Sequence, residues 1–253
     1  MFANILRPAP VIARTLVFAA LLGAWELASL AGLVSRFIAP PPSEVVPAIW
    51  TLFTDDDLVT AFLRTFGEVL AAAGVGSVLG MLAGWWLHHD RIAGRAYTDW
   101  IAATAAAPLV LLFPLFLVLF GRNAATIVAM GAVSALPPVI LKTREGLDNV
   151  RTVLIDVGRT FRLTRWQQVT MILFPASLPT IFTGLRLGLV FALINVVGVE
   201  FLIGFGGLGL MIADLGDRFE IAGMYAAILF VVLCSATFFY FTQKLETWLL
   251  SAR

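Results

Sequence analysis

Long apolar runs alternate with short polar breaks along this 253-residue chain. A helix needs about 20 apolar residues to cross a bilayer, and six runs approach or exceed that length: residues 11–33, 58–87, 98–120, 124–141, 180–203 and 221–245. The pattern predicts an all-α membrane protein with six transmembrane helices in one domain, residues 1–253. The first run exceeds the apolar core of a signal peptide, about 7 to 15 residues, so it reads as span one. The second would be about 45 Å long as a helix, against a hydrocarbon core of about 30 Å, so its first turns should project beyond the membrane.

Between the first two runs, Pro40, Pro41 and Pro42 enforce an extended stretch, and Ser43 is placed to cap a helix. Val45, Val46, Ile49, Leu52 and Phe53 then form an apolar stripe that Asp55, Asp56 and Asp57 close, which predicts a helix lying in the interface.

One polar break is much longer than the rest, residues 150–179. It holds Arg151, Asp156, Arg159, Arg162 and Arg165, while Val150, Leu154, Val157 and Phe161 recur at helical spacing. The spacing predicts a short amphipathic helix over 152–161. Thr164 with Gln167 forms a capping box that opens a second helix. Pro175 should stop that helix, and Pro179 should open span five.

Composition sharpens the class: 60% of residues are hydrophobic and 13% charged, against about half and a quarter in soluble domains. A net charge of +1 says nothing about nucleic acid, and with no basic run outside the loops no nucleic-acid partner is expected. The single Cys234 lies in an apolar run and excludes an intrachain disulfide. His88 and His89 are adjacent, not three or four apart, so they do not make a metal-ligand pair on one helical face. Gly204, Gly206 and Gly209 match a dinucleotide fingerprint in spacing only, because no βαβ unit surrounds them. No Gly-x-x-x-x-Gly-Lys-Ser/Thr string is present, so any nucleotide energy must come from another chain. A membrane hydrolase would need a converged nucleophile and base, which this pattern does not provide. A secondary transporter usually carries inverted repeats, and none is legible.

The polar residues inside the spans are the candidates for a pathway, because charge in a bilayer is costly and usually functional. Glu26 lies in span one, two turns from its end, where it can also reach the interface or a partner helix. Arg64 and Glu68 are four apart and fit an interfacial salt bridge. Arg186 lies near one end of span five and can snorkel. Asn195 and Glu200 are gate or cavity candidates, with Gly207 and Gly209 in the turn that follows. Pro108, Pro114, Pro137 and Pro138 fit bent helices lining a pathway, or plain packing irregularity. Gly67, Gly74, Gly76, Gly80 and Gly84 offer neighbouring helices a close approach.

The order Asp156-Val157-Gly158, three residues, Arg162, nine residues, then Ile172-Leu173-Phe174-Pro175 resembles the EAA loop of ABC importer permeases of the type I superfamily. There the loop reads Glu-Ala-Ala, three residues, Gly, nine residues, Ile-x-Leu-Pro. Asp156 stands for the Glu, Val157 and Gly158 for the alanines, Arg162 for the Gly and Phe174 for the Leu. The Pro-Pro-Ser-Glu-Val string at 41–45 resembles the nitrate, sulfonate and taurine branch. Glu200 followed by Gly207-Leu208-Gly209 resembles the family's turn before the last span.

The resemblance implies a type I permease fold, with a cytoplasmic coupling helix between spans four and five. It implies ATPase-coupling roles for Asp156, Val157, Gly158, Arg159, Phe161, Arg162, Ile172 and Pro175. It also implies, as partners, two ABC ATPase subunits that carry the ATP and Mg2+, a second copy of the permease, an extracytoplasmic solute-binding protein and membrane lipid. The implied cargo is a small solute, either a nitrate-, sulfonate- or taurine-like anion or a thiamine-precursor-like molecule.

Orientation follows from counting cations. With the amino terminus inside, Arg7, Arg14, Arg91, Arg95, Lys142, Arg144, Arg151, Arg159, Arg162, Arg165, Lys244 and Arg253 face the cytoplasm, and only Arg36, Arg122 and Arg218 lie outside. Both termini and the arginine-rich loop should therefore be cytoplasmic, and the resemblance implies that the membrane is the bacterial inner membrane.

Overall fold

The computed structural model describes residues 8–54 and 57–251, and every described element is helical. Arg7 and Arg253 from the charge count, and Asp55 and Asp56 from the interfacial stretch, lie outside the described residues. The helices are α1 (Pro8–Leu30), α2 (Pro42–Thr54), α3 (Leu58–His89), α4 (Arg91–Ala106), α5 (Phe113–Phe120), α6 (Ala124–Asp148), α7 (Thr152–Thr160), α8 (Arg165–Gln168), α9 (Phe174–Ile203), α10 (Gly207–Asp217) and α11 (Ile221–Ser251). Among the described residues, five helical stretches are long and apolar enough to cross a membrane, or six if the bent pair of α4 with residues 109–120 counts as one span.

That bent pair changes the third span. In place of one helix over 98–120, two legs meet at 90°. Ala107 is extended, as residues before proline prefer, and Pro108 has no amide to continue the ladder. A short 3₁₀ turn, Leu109–Leu112, then leads into α5, where Pro114 sits in the first turn and costs little. Pro137 and Pro138, by contrast, are buried inside α6 without ending it.

The fifth span is corrected more deeply. Pro175 does not stop the second loop helix, and Pro179 lies inside α9 without opening it. The helix runs from Arg165 to Ile203, 39 residues, or about 58 Å at 1.5 Å per residue. A wider π turn, Val169–Leu173, makes this possible: the Phe174 amide donates five residues back, to Val169 O, so the tight turn that Pro175 would obstruct is absent. The predicted capping box does form, with Thr164 and Gln167 satisfying each other's amides at the start of this helix.

The chain folds as two compact units. The larger comprises residues 60–210 and 232–251, and its core sits where α3, α6 and α9 cross: Val69, Ala72, Ile127, Met130, Ala135, Ala192, Val196 and Val199 are buried together. Three of the five glycines of α3 serve the predicted close approach. A β-carbon would lie 2.7 Å from Ala135 Cβ at Gly76, 2.8 Å from Val139 Cβ at Gly80 and 2.7 Å from Ile140 O at Gly84. Gly67 and Gly74 face nothing within 4 Å, so they do not serve it. The smaller unit comprises residues 8–59 and 211–231. There Trp25 and Tyr225 rings meet at 6.1 Å, and the Tyr225 hydroxyl donates to Ile38 O.

Candidate functional site

Most of the sequence-predicted residues lie at the two ends of the long helix that runs from Arg165 to Ile203. At its start stands α7. Gly158 is buried, and a β-carbon there would overlap Ile172 Cδ1 in the π turn. The Gln168 side chain donates to Ile155 O at 3.1 Å, a second tie between α7 and the helix that follows. Asp156 and Arg159 form an exposed ion pair at 3.0 Å, worth little by itself. Val153, Val157 and Phe161 are exposed, the last at 75%.

The φ of Arg162 is +51°, so it does not extend α7. Leu163 N donates to Gly158 O at 3.0 Å and Arg162 N to Arg159 O at 2.9 Å, the two bonds of a Schellman closure. Arg162 thus occupies the left-handed position that glycine normally fills, at a cost of about 1 kcal/mol for a residue with a β-carbon.

At the other end Glu200 is fully buried. Its carboxylate accepts from Thr65 Oγ1 at 2.8 and 3.0 Å and from Gly209 N at 2.8 Å. Thr65 Oγ1 in turn accepts from Leu208 N at 2.8 Å. These amides belong to the first turn of α10, which has no intrahelical partners to offer them, so Glu200 and Thr65 together cap that turn and tie Leu208 and Gly209 to α3 and α9. The chain reaches this cap through Gly204, Gly206 and Gly207, all at positive φ. Arg122 donates to Gly204 O. Arg64 lies over the Phe205 ring, 4.6 Å from its centre, with Glu68 at 3.4 Å as the spacing predicted.

Glu200 is therefore a latch whose oxygens are occupied within the fold, not a free group lining a cavity. Asn195 does not join it: its amide donates to Phe191 O of its own helix. Glu26 belongs to the smaller unit, where it accepts from Ser43 N at 3.1 Å and Ser43 Oγ at 2.6 Å. The Ser43 hydroxyl thus serves Glu26, with the carboxylate satisfying the start of α2 in place of a Ser43 cap. Glu26→Ala should lower stability by about 1 kcal/mol in a detergent melt and leave transport by the surviving folded protein unchanged.

Sequence reasoning missed an ion pair between α9 and α11. Arg186 does not snorkel; it forms an ion pair with Glu246 of α11 at 2.9 Å, with Thr183 donating to the same carboxylate at 3.0 Å. Both side chains are largely buried, 22% and 13% exposed. Sixty residues separate Arg186 from Glu246, and Glu246 lies one residue past the predicted end of span six, so the pattern did not mark it as a partner. Removing either charge should cost about 3 kcal/mol, while the double change Arg186→Met with Glu246→Met should cost far less, because no unpaired charge remains. A double-mutant cycle on thermal stability reads the difference.

The family model for the binding-protein-dependent transport system inner membrane component matches residues 76–250, and the chain belongs to that family. A Bacillus subtilis (strain 168) protein named for aliphatic sulfonate transport is 27% identical over 93% of this chain and 85% of its own length. A formylaminopyrimidine transport permease of Halalkalibacterium halodurans is 26% identical over 94% of this chain and 95% of its own. A nitrate import permease of Synechocystis sp. is 25% identical over 98% and 90%. Among solved structures, the inward-facing MetNI methionine ABC transporter aligns with a TM-score of 0.64, covering 77% of this chain and 95% of that one at 21% identity, which shows a shared fold. The chain is a multi-pass transport component of the ABC importer permease class, and not itself a catalytic chain.

Proposed function

We propose that this permease is driven by a separate ATPase that docks on α7 from the cytoplasm, and that the helix from Arg165 to Ile203 carries the displacement to the α10 latch. The observation that carries the reading is the continuity of that helix. Gly158 is lodged on Ile172 and Gln168 is tied to Ile155 O, so a push on α7 moves the π turn with it. The far end of the same helix carries Glu200. A floppy loop would absorb the motion; this connection transmits it.

In this reading ATP and Mg2+ bind the partner ATPase pair, two copies of the permease enclose the pathway, and an extracytoplasmic binding protein delivers the cargo. The α7 end faces the cytoplasm and the Gly204 end faces outward, across the bacterial inner membrane with both termini inside. Closure of the ATPase pair swings α7, and the glycine turn before α10 gives way so that the cavity changes the side to which it opens. The names of the relatives support a small solute as cargo, a sulfonate- or nitrate-like anion or a pyrimidine precursor of thiamine. Uptake into right-side-out vesicles loaded with ATP, with the binding protein supplied outside, tests the energy source. ATP should drive accumulation that an ionophore leaves unchanged, and accumulation abolished by the ionophore alone would contradict it.

A further inference from the structure

The exposed surface of α7 has two unlike flanks. At 100° per residue, Val153, Leu154, Val157 and Phe161 cluster on one side, and Asp156 and Arg159 lie on roughly the opposite one. The buried Gly158 faces the π turn between them. Beyond the helix end, Arg162 and Arg165 are exposed, as is Arg151 before it, and no ion pair among the described residues involves these three side chains. Trp166 is 75% exposed beside them. The segment therefore presents four guanidiniums and one carboxylate around an apolar ridge. A flat bilayer surface would meet one flank only, whereas a groove walls both.

Resting on the ATPase-docking reading above, we propose that the groove receiving α7 has an apolar floor and an acidic rim, and that Arg162 makes a charge contact with that rim. The backbone supports this assignment. Arg162 stands at φ +51° in a closure that glycine would complete without strain. Its β-carbon therefore weakens the loop taken alone, a cost that a contact of the exposed side chain outside the loop would offset.

The test uses the P-loop ATPase that copurifies with the wild-type chain from its native membranes. Bound ATPase per permease is measured on the affinity resin for wild type, Arg162→Gly and Arg162→Glu, from about 50 mM to about 500 mM salt. Arg162→Gly should melt no lower than wild type yet hold about threefold less ATPase at low salt, and Arg162→Glu about tenfold less, with the differences closing as salt rises. A loop-only role would make Arg162→Gly neutral or better in both readouts. Equal ATPase retention by all three chains at every salt concentration would overturn the proposal. So would unchanged ATPase retention combined with lost binding to phosphatidylglycerol vesicles, which would make lipid the occupant. If wild type itself brings down no ATPase, the docking reading fails first and this inference goes with it.

Discussion

Gly209→Ala should abolish uptake and reduce the amount of folded chain. A β-carbon at that position would overlap Val197 O, Phe201 N and Glu200 Cβ, two of them backbone atoms that cannot step aside. Overpacking of this kind costs about 1 to 3 kcal/mol, and here it would also separate the Gly209 amide from Glu200. Thr65→Val removes the hydroxyl that bridges Glu200 and the Leu208 amide while keeping the shape of the side chain. It leaves a buried amide and a carboxylate oxygen short of partners, at about 2 kcal/mol. Thr65→Ser keeps the bridge and should behave nearly as wild type. Detergent melts together with uptake in proteoliposomes order the series: wild type and Thr65→Ser, then Thr65→Val, then Gly209→Ala. If Thr65→Val melts and transports as wild type does, the latch is not holding α10.

The second large effect is at the opposite end. Gly158→Val would place a branched side chain where Ile172 Cδ1 already sits, and Leu163 and Gln168 close the remaining space. The protein should still insert, because α6 and α9 do not depend on this contact for their core. What should fail is transmission: uptake per ATP hydrolysed falls by about tenfold, while hydrolysis by the assembled complex persists. Changes along a coupling element are worth about 0.5 to 2 kcal/mol, which spans that loss. Equal loss of hydrolysis and uptake would point to failed assembly, and normal coupling would remove α7 from the lever.

Several features were legible in the chain and for identifiable reasons. Apolar runs of membrane length marked the spans, the Thr164–Gln167 pair marked a helix start by local chemistry, and the Arg64–Glu68 spacing foretold an ion pair. Other features depended on geometry that a linear pattern lacks. Pro175 reads as a stop because proline blocks a standard turn, and the π turn that bypasses it has no sequence signature. The right angle at Pro108 and the pairing of Arg186 with Glu246 arise from three-dimensional packing. Glu200 stood out as a costly intramembrane carboxylate, yet its partners Thr65 and Gly209 were invisible as partners, since Thr65 lies 135 residues away. Arg162 was conspicuous for standing at a glycine position, and only the dihedral angle showed that it keeps glycine's conformation.

What touches α7 in the assembled transporter decides whether it is the lever. A photo-crosslinking amino acid placed at Phe161, whose ring is exposed, reports its neighbour in native membranes after illumination. The predicted product is a covalent adduct with a P-loop ATPase, weakened when Gly158→Val displaces the helix. An adduct with an extracytoplasmic protein, or with lipid alone while the ATPase is present in the complex, would contradict it.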